Sequence, residues 1–140
     1  MLRLAVVVLV LVAGCGGGDD ETAAGDLRVE VSYDDPLRPG DVTWEVTVVN
    51  GTADDVTLEF PNGQRAEVRL QRDGRDVYQW SREQMFTQEL GEEVVPAGSE
   101  VTFELDDVLE VDPGDYRLLA RVTSSTRTLR AEAEVTVATR

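Results

Sequence analysis

Three features of the sequence predict an all-β chain, an immunoglobulin-like antiparallel β-sandwich of about eight strands. Apolar and polar residues alternate with period two through most of the chain, the pattern of strands that bury one face. Turn signals rich in Gly, Pro, Asn and Asp separate the alternating runs. No run longer than one or two turns carries a helical period. Strands with one apolar face each can bury it by pairing two sheets face to face, which gives the sandwich. The inference rests on strand count and spacing, because the single cysteine excludes the cysteine pair of antibody domains. A barrel satisfies the same pattern.

The chain opens with Met1-Leu2-Arg3 and an apolar run from Leu4 to Ala13. That run is too short to span a bilayer and fits the hydrophobic region of a signal peptide. Val12-Ala13-Gly14-Cys15 then sets small residues directly before the lone cysteine, which resembles the lipobox of bacterial lipoproteins. The resemblance implies that residues 1–14 are a signal peptide, that Cys15 is diacylated on sulfur, and that its new N-terminus is acylated. Residues 15–26 lack apolar periodicity and read as the lipidated cysteine and a flexible acidic tether. The tether would hold the domain about 18 Å from its anchor as a coil, or about 35 Å if stretched. Residues 27–140 form the domain.

Leu27, Val29, Val31 and Tyr33 share one face of the first domain strand, with Arg28, Glu30 and Ser32 on the other. Asp34 to Asp41, with Pro36, Pro39 and Gly40, reads as a loop. Val42, Trp44, Val46 and Val48 form the next face, and Asn50-Gly51 opens a turn running through Asp54-Asp55. Val56, Leu58 and Phe60 follow, then the turn Pro61-Asn62-Gly63, then Ala66, Val68 and Leu70 before the hairpin tip Arg72-Asp73-Gly74-Arg75. Val77, Tyr78 and Trp80 suit a short strand, since aromatic and β-branched residues fit a pleated surface. Beyond Gln88 the chain passes Leu90, Gly91, Val94 and Val95 to a turn at Pro96-Ala97-Gly98. Val101, Phe103 and Leu105 give a strand, and Pro113-Gly114-Asp115 a turn. Tyr116, Leu118, Ala120 and Val122 give the next strand, and Leu129, Ala131, Ala133, Val135 and Val137 the last.

The stretch Asp76 to Gln88 is the most individual, with one of the two tryptophans, one of the three tyrosines and one of the three phenylalanines. Ser81 followed three residues later by Gln84 fits a capping box. A single helical turn is expected to start there and to carry Met85 and Phe86 back toward the core.

Composition narrows the chemistry. There are 28 acidic residues against 13 basic ones, a net charge of −15, and every basic residue is arginine. This fits either GC-rich codon bias or a high-salt surface. Such a chain is repelled by nucleic acid and by anionic lipid. No nucleic-acid partner is expected, and any membrane attachment falls to acyl chains, each CH₂ of which contributes about 0.8 kcal/mol. The absence of histidine removes Ser-His-Asp and Cys-His catalysis and histidine-based zinc sites. With Cys15 lipidated, no cysteine remains for a disulfide. The doublets Asp34-Asp35, Asp54-Asp55 and Asp106-Asp107 lie near turns without the ligand spacing of a calcium loop, so they read as solvated turns. Neither a metal nor a cofactor is expected. Asn50-Gly51-Thr52 matches a glycosylation sequon but is explained by the turn.

Five motifs in order resemble the BsuPI family, the intracellular proteinase inhibitor domain. They are Phe60-Pro61-Asn62-Gly63-Gln64, Val77-Tyr78-Gln79-Trp80-Ser81, Met85-Phe86-Thr87-Gln88, Pro96-Ala97-Gly98 and Pro113-Gly114-Asp115-Tyr116. The resemblance covers roughly Val42 to Val122 and implies an immunoglobulin-like sandwich that inhibits serine proteinases of the subtilisin type. It departs from the family in one respect, since a lipobox places this chain outside the cytoplasm. On the reading of the residues themselves, Gly63, Gly98 and Gly114 serve turns, Trp80 and Phe86 serve the core, and Gln64 and Gln88 satisfy backbone groups. An inhibitor needs a protruding extended segment. The proline-stiffened loop Asp35-Pro36-Leu37-Arg38-Pro39, offering Leu37 or Arg38, is the first candidate, and Glu92-Glu93-Val94-Val95 is the second. The expected protein is a monomeric, non-enzymatic, membrane-anchored lipoprotein whose partner is a serine proteinase blocked by occlusion. The alternative is a structural or ligand-binding envelope module that keeps the fold without inhibition.

Overall fold

In the computed structural model, which describes residues 3–6, 27–34 and 36–139, the alternation predicted from sequence becomes the wall of a core. Along Gly40–Asn50 every second side chain, Val42, Trp44, Val46, Val48 and Asn50, is buried. The described strands are β1 (Arg3–Val6), β2 (Leu27–Asp34), β3 (Gly40–Asn50), β4 (Val56–Phe60), β5 (Ala66–Arg72), β6 (Arg75–Gln79), β7 (Gly91–Val95), β8 (Glu100–Leu109), β9 (Gly114–Val122) and β10 (Leu129–Val137). A 3₁₀ turn at Trp80–Glu83 follows β6. Cys15 and the whole segment 15–26 expected to be a tether lie outside the described residues, as do Asp35 and, apart from residues 3–6, the segment expected to be a signal peptide.

All strand pairs are antiparallel. One four-stranded sheet has the order β1-β2-β3-β8, the other β10-β9-β5-β6, and β4 pairs with β7 in a two-stranded ribbon. The apolar faces of the larger sheets meet in one core, giving the immunoglobulin-like sandwich. Strand β7 has no apolar alternation, only Gly-Glu-Glu-Val-Val, and it exists because β4 offers it a ladder from Val56↔Val95 to Phe60↔Gly91. Pairing rather than propensity makes it a strand.

Trp44 on β3 and Tyr78 on β6 join the two sheets. Trp44 is fully buried, with Tyr33 at 6.2 Å and Tyr78 at 5.9 Å between ring centroids. Its indole N–H donates to the Tyr78 hydroxyl at 3.1 Å, which donates in turn to Asp107 Oδ2 at 2.8 Å. The sandwich is thus closed by an aromatic contact whose polar ends are satisfied.

Asn50 closes the other end. It is completely buried, and its side-chain amide donates to the carbonyls of Asp54 at 2.9 Å and Val95 at 2.8 Å. Its Oδ1 accepts the Thr52 N–H and hydroxyl at 2.9 and 2.6 Å. Its backbone N–H donates to Ser99 O and its carbonyl accepts from Gly98, both at 2.8 Å. The sequon asparagine is therefore a structural plug tying the β3–β4 turn to the β7–β8 turn, with no exposed amide for a sugar. Asn50→Ala should strip partners from several buried backbone groups and cost roughly 2–4 kcal/mol in urea unfolding. An unchanged midpoint would refute this role.

Candidate functional site

The site grows from a charged residue on β5. Ala66, Val68 and Leu70 point into the core, so Glu67 points away from it, yet Glu67 is only 3% exposed. The 3₁₀ turn covers it and supplies the donors a buried carboxylate requires. Its Oε1 accepts the backbone N–H of Val68 at 3.1 Å and of Ser81 at 3.0 Å. Its Oε2 accepts the Ser81 hydroxyl, Gln79 Nε2 at 3.1 Å and Gln64 Nε2 at 3.4 Å.

This network corrects the predicted capping box. The turn begins at Trp80, Gln79 is its N-cap but its side chain makes no capping bond, and Ser81 gives both donors to Glu67. The Gln84 N–H, rather than its side chain, closes the turn on Ser81 O at 3.1 Å. For the Ser81 N–H, the Glu67 carboxylate is a stronger acceptor than the neutral Gln84 amide of a capping box would have been.

The chain leaves the turn at Gln84 in an extended conformation, with φ −114° and ψ 156°. Side chains then alternate, with Gln84 and Phe86 half-buried and Met85 and Thr87 exposed. Phe86 packs on Trp80 at 5.6 Å, and the Trp80 indole N–H donates to Asp106 O at 3.0 Å. Met85, expected to turn toward the core, is instead 96% exposed, because its neighbours Gln84 and Phe86 take the inward positions of the alternation. The Gly63 N–H donates to Thr87 O at 2.9 Å. A Cβ on Gly63 would lie 2.7 Å from Thr87 Oγ1, so this glycine serves the close approach of the 84–90 segment rather than a turn. Gly98 and Gly114, at φ +71° and +145°, do serve turns.

The remaining motif residues hold the frame. Phe60 is buried under the Arg65 guanidinium, 4.5 Å from the ring centroid, and Gln64 Nε2 also donates to Ala66 O at 3.0 Å. Pro96 O accepts the Ser99 N–H at 3.0 Å. The Tyr116 hydroxyl returns to Asp112 O, in the manner of a tyrosine corner, and Arg72 stacks on its ring at 4.3 Å while donating to Pro113 O at 3.2 Å. Gln88 is exposed.

The first candidate contact loop does not offer what it was expected to. Leu37 is 1% exposed and bridges Val137 in parallel, with the Ala138 N–H on its carbonyl at 2.7 Å. An apolar side chain beside the end of β10 gains more from the core than from solvent. Arg38 donates to Thr139 O at 3.1 Å, Pro36 is exposed, and Pro39 lines a shallow cleft with Arg72 and Tyr116. In the second candidate, Val95 is buried, Val94 is half exposed and Glu93 pairs with Arg65 at 3.3 Å. Of the acidic doublets, Asp55 Oδ1 accepts the Ala97 N–H at 3.0 Å, Asp106 Oδ1 accepts the Thr43 hydroxyl at 2.7 Å, and Asp107 holds Tyr78. Among the described residues no group of three acids is close enough to share a metal ion.

A family model described as BsuPI, intracellular proteinase inhibitor, matches residues 27–127. The chain belongs to the BsuPI family. The match runs from β2 to β9 of the BsuPI domain and ends just before β10, and it includes Glu67, the turn and the 84–90 segment. Comparison with curated proteins gives no match. Solved structures give looser likenesses. A β-glucosidase from Listeria innocua in complex with glucose is 20% identical over 81% of this chain and 16% of its own, at TM-score 0.45. A β-glucosidase from Erythrobacter marinus is 11% identical over 81% and 15%, at 0.46. A CARDB domain from Pyrococcus furiosus, solved with di-metal ions, is 18% identical over 86% of this chain and all of its own, at 0.45. The BsuPI domain thus spans only a small part of either glucosidase.

Burial pushes the Tyr78 hydroxyl well above its ordinary value of 10.0; the Trp44 N–H opposes the shift and Asp107 adds to it. The folded BsuPI domain keeps Tyr78 protonated where an unfolded chain ionises it. Its contribution to stability is therefore complete below about pH 10 and is lost as pH rises beyond that. Urea unfolding across alkaline pH should show a steeper loss in the natural protein than in Tyr78→Phe; parallel curves would contradict the assignment.

Proposed function

We propose that this chain inhibits serine proteinases of the subtilisin type by occluding the active-site cleft, and that it does so outside the cytoplasm as a monomeric lipoprotein held by acylated Cys15. The family match over residues 27–127 carries the reading. Composition supports occlusion over chemistry, because a chain without histidine lacks the usual general base for nucleophilic catalysis. A rigid sandwich supports it too, since an inhibitor gains affinity when its contact segment is ordered before binding. The order of apolar run, small residues and cysteine supports the anchor.

One observation favours a second reading, an envelope module that keeps the fold without inhibition. The motif side chains Phe60, Tyr78, Trp80 and Tyr116 are buried, and Gln64 and Ser81 are bonded to Glu67. The family pattern is thus largely spent on the frame, which many functions can share.

Titrating the full chain against a panel of subtilisin-type proteinases should slow peptide hydrolysis at concentrations on the order of 1 μM. No slowing of any of them would leave the second reading. Cys15→Ala should move the protein from the membrane fraction to the soluble one, and retention at the membrane would remove the acyl anchor from the account.

A further inference from the structure

We propose that residues 84–88 are the segment that enters the proteinase cleft, that Met85 fills the enzyme's primary specificity pocket, and that the target is a serine proteinase whose pocket is apolar. The proposal rests on the inhibitor reading above and supplies its contact. Met85 is 96% exposed, the highest value among the exposed large apolar side chains described, and Leu90, at 84%, lies two residues beyond the segment. An apolar side chain so placed forgoes burial within its own chain, and burial elsewhere would recover it.

The backbone has the form a cleft accepts. It is extended at Gln84, and half-buried and exposed side chains alternate from Gln84 to Thr87, so Met85 stands outward between two inward neighbours. Proteinase clefts bind peptides as added strands, with side chains dropping into pockets. Both flanks are fixed. Before Met85, the Trp80–Glu83 turn is tied to Glu67 through Ser81. After it, Phe86 rests on Trp80 and Thr87 O accepts from Gly63. A segment held on both sides pays less ordering entropy on binding. Methionine's unbranched, flexible thioether suits a deep apolar pocket. The two segments singled out from the sequence fit less well, since Leu37 is buried and Val94 lies in the ladder opposite Thr57.

The test uses the full chain and two sets of serine proteinases, one with an apolar primary pocket and one with an acidic pocket that takes arginine. Met85→Asp and Met85→Arg are compared with Arg38→Glu, a change on the other loop. Thermal unfolding of each checks that the exposed substitutions leave the fold intact. Met85→Asp should weaken inhibition of the apolar-pocket enzymes by at least about 30-fold, as loss of a central anchor does. Met85→Arg should transfer inhibition to the acidic-pocket enzymes, and Arg38→Glu should stay within about twofold of the natural protein. If the natural chain inhibits but both Met85 variants inhibit equally well, the contact lies elsewhere and this inference fails while the inhibitor reading stands. If the natural chain inhibits neither set, the inhibitor reading falls and takes this inference with it.

Discussion

The arrangement around Glu67 is the constraint from which the rest of this end of the molecule follows. A carboxylate on the outer side of a central strand would ordinarily face water. Here it is roofed, and the roof must bring donors, because an ionised group without them is too costly to bury. Gln64, Gln79 and both polar groups of Ser81 meet that demand. Once Ser81 is fixed, Trp80 lies over β8 with its N–H on Asp106 O, Phe86 lies on Trp80, and the chain leaves the turn with only one face free. The exposed position of Met85 is the far end of that sequence of contacts.

The sheets were legible in the sequence because burial of one face writes itself as alternation. β2, β3, β9 and β10 bury the residues the pattern assigns to them, apart from the half-buried Ala133. β7 was not legible, since its only fully buried side chain is Val95 and its existence depends on a partner strand more than thirty residues away in the chain. The turn was legible in place but not in mechanism. Ser81 and Gln84 carry the local signature of a capped helix, yet Glu67, fourteen residues earlier, competes for the same donors. Local spacing cannot report a competitor brought in by tertiary structure.

Gly63 and Leu37 show the same limit from opposite sides. In Pro61-Asn62-Gly63 a glycine is explained well enough by a turn, and only the crossing of Thr87 reveals that space, rather than a left-handed backbone, is what the missing Cβ provides. In Pro36-Leu37-Arg38-Pro39 the two prolines mark a loop correctly, but a loop residue can still be core when the end of a distant strand runs beside it, as β10 does here. The motif residues Phe60, Tyr78, Trp80 and Tyr116 identified the family because they hold the frame, whereas Met85 and Gln88 of the same motif set are exposed.

Arg65 and Arg72 share a further design. Each guanidinium lies over an aromatic ring, Phe60 and Tyr116 respectively, and each fills the space that a Cβ on a glycine would take, Gly91 and Gly114. These cations act by packing and by donors aimed at Asn62 O and Pro113 O as much as by their charge. Dissolved salt screens exposed ion pairs but does little to a cation flattened on a ring. The same salt relaxes the mutual repulsion within a chain that carries 28 acids against 13 arginines. The domain therefore keeps its internal cationic contacts and sheds its electrostatic burden as ionic strength rises, so that a chain of this composition is built to hold its shape in brine at least as well as in dilute buffer.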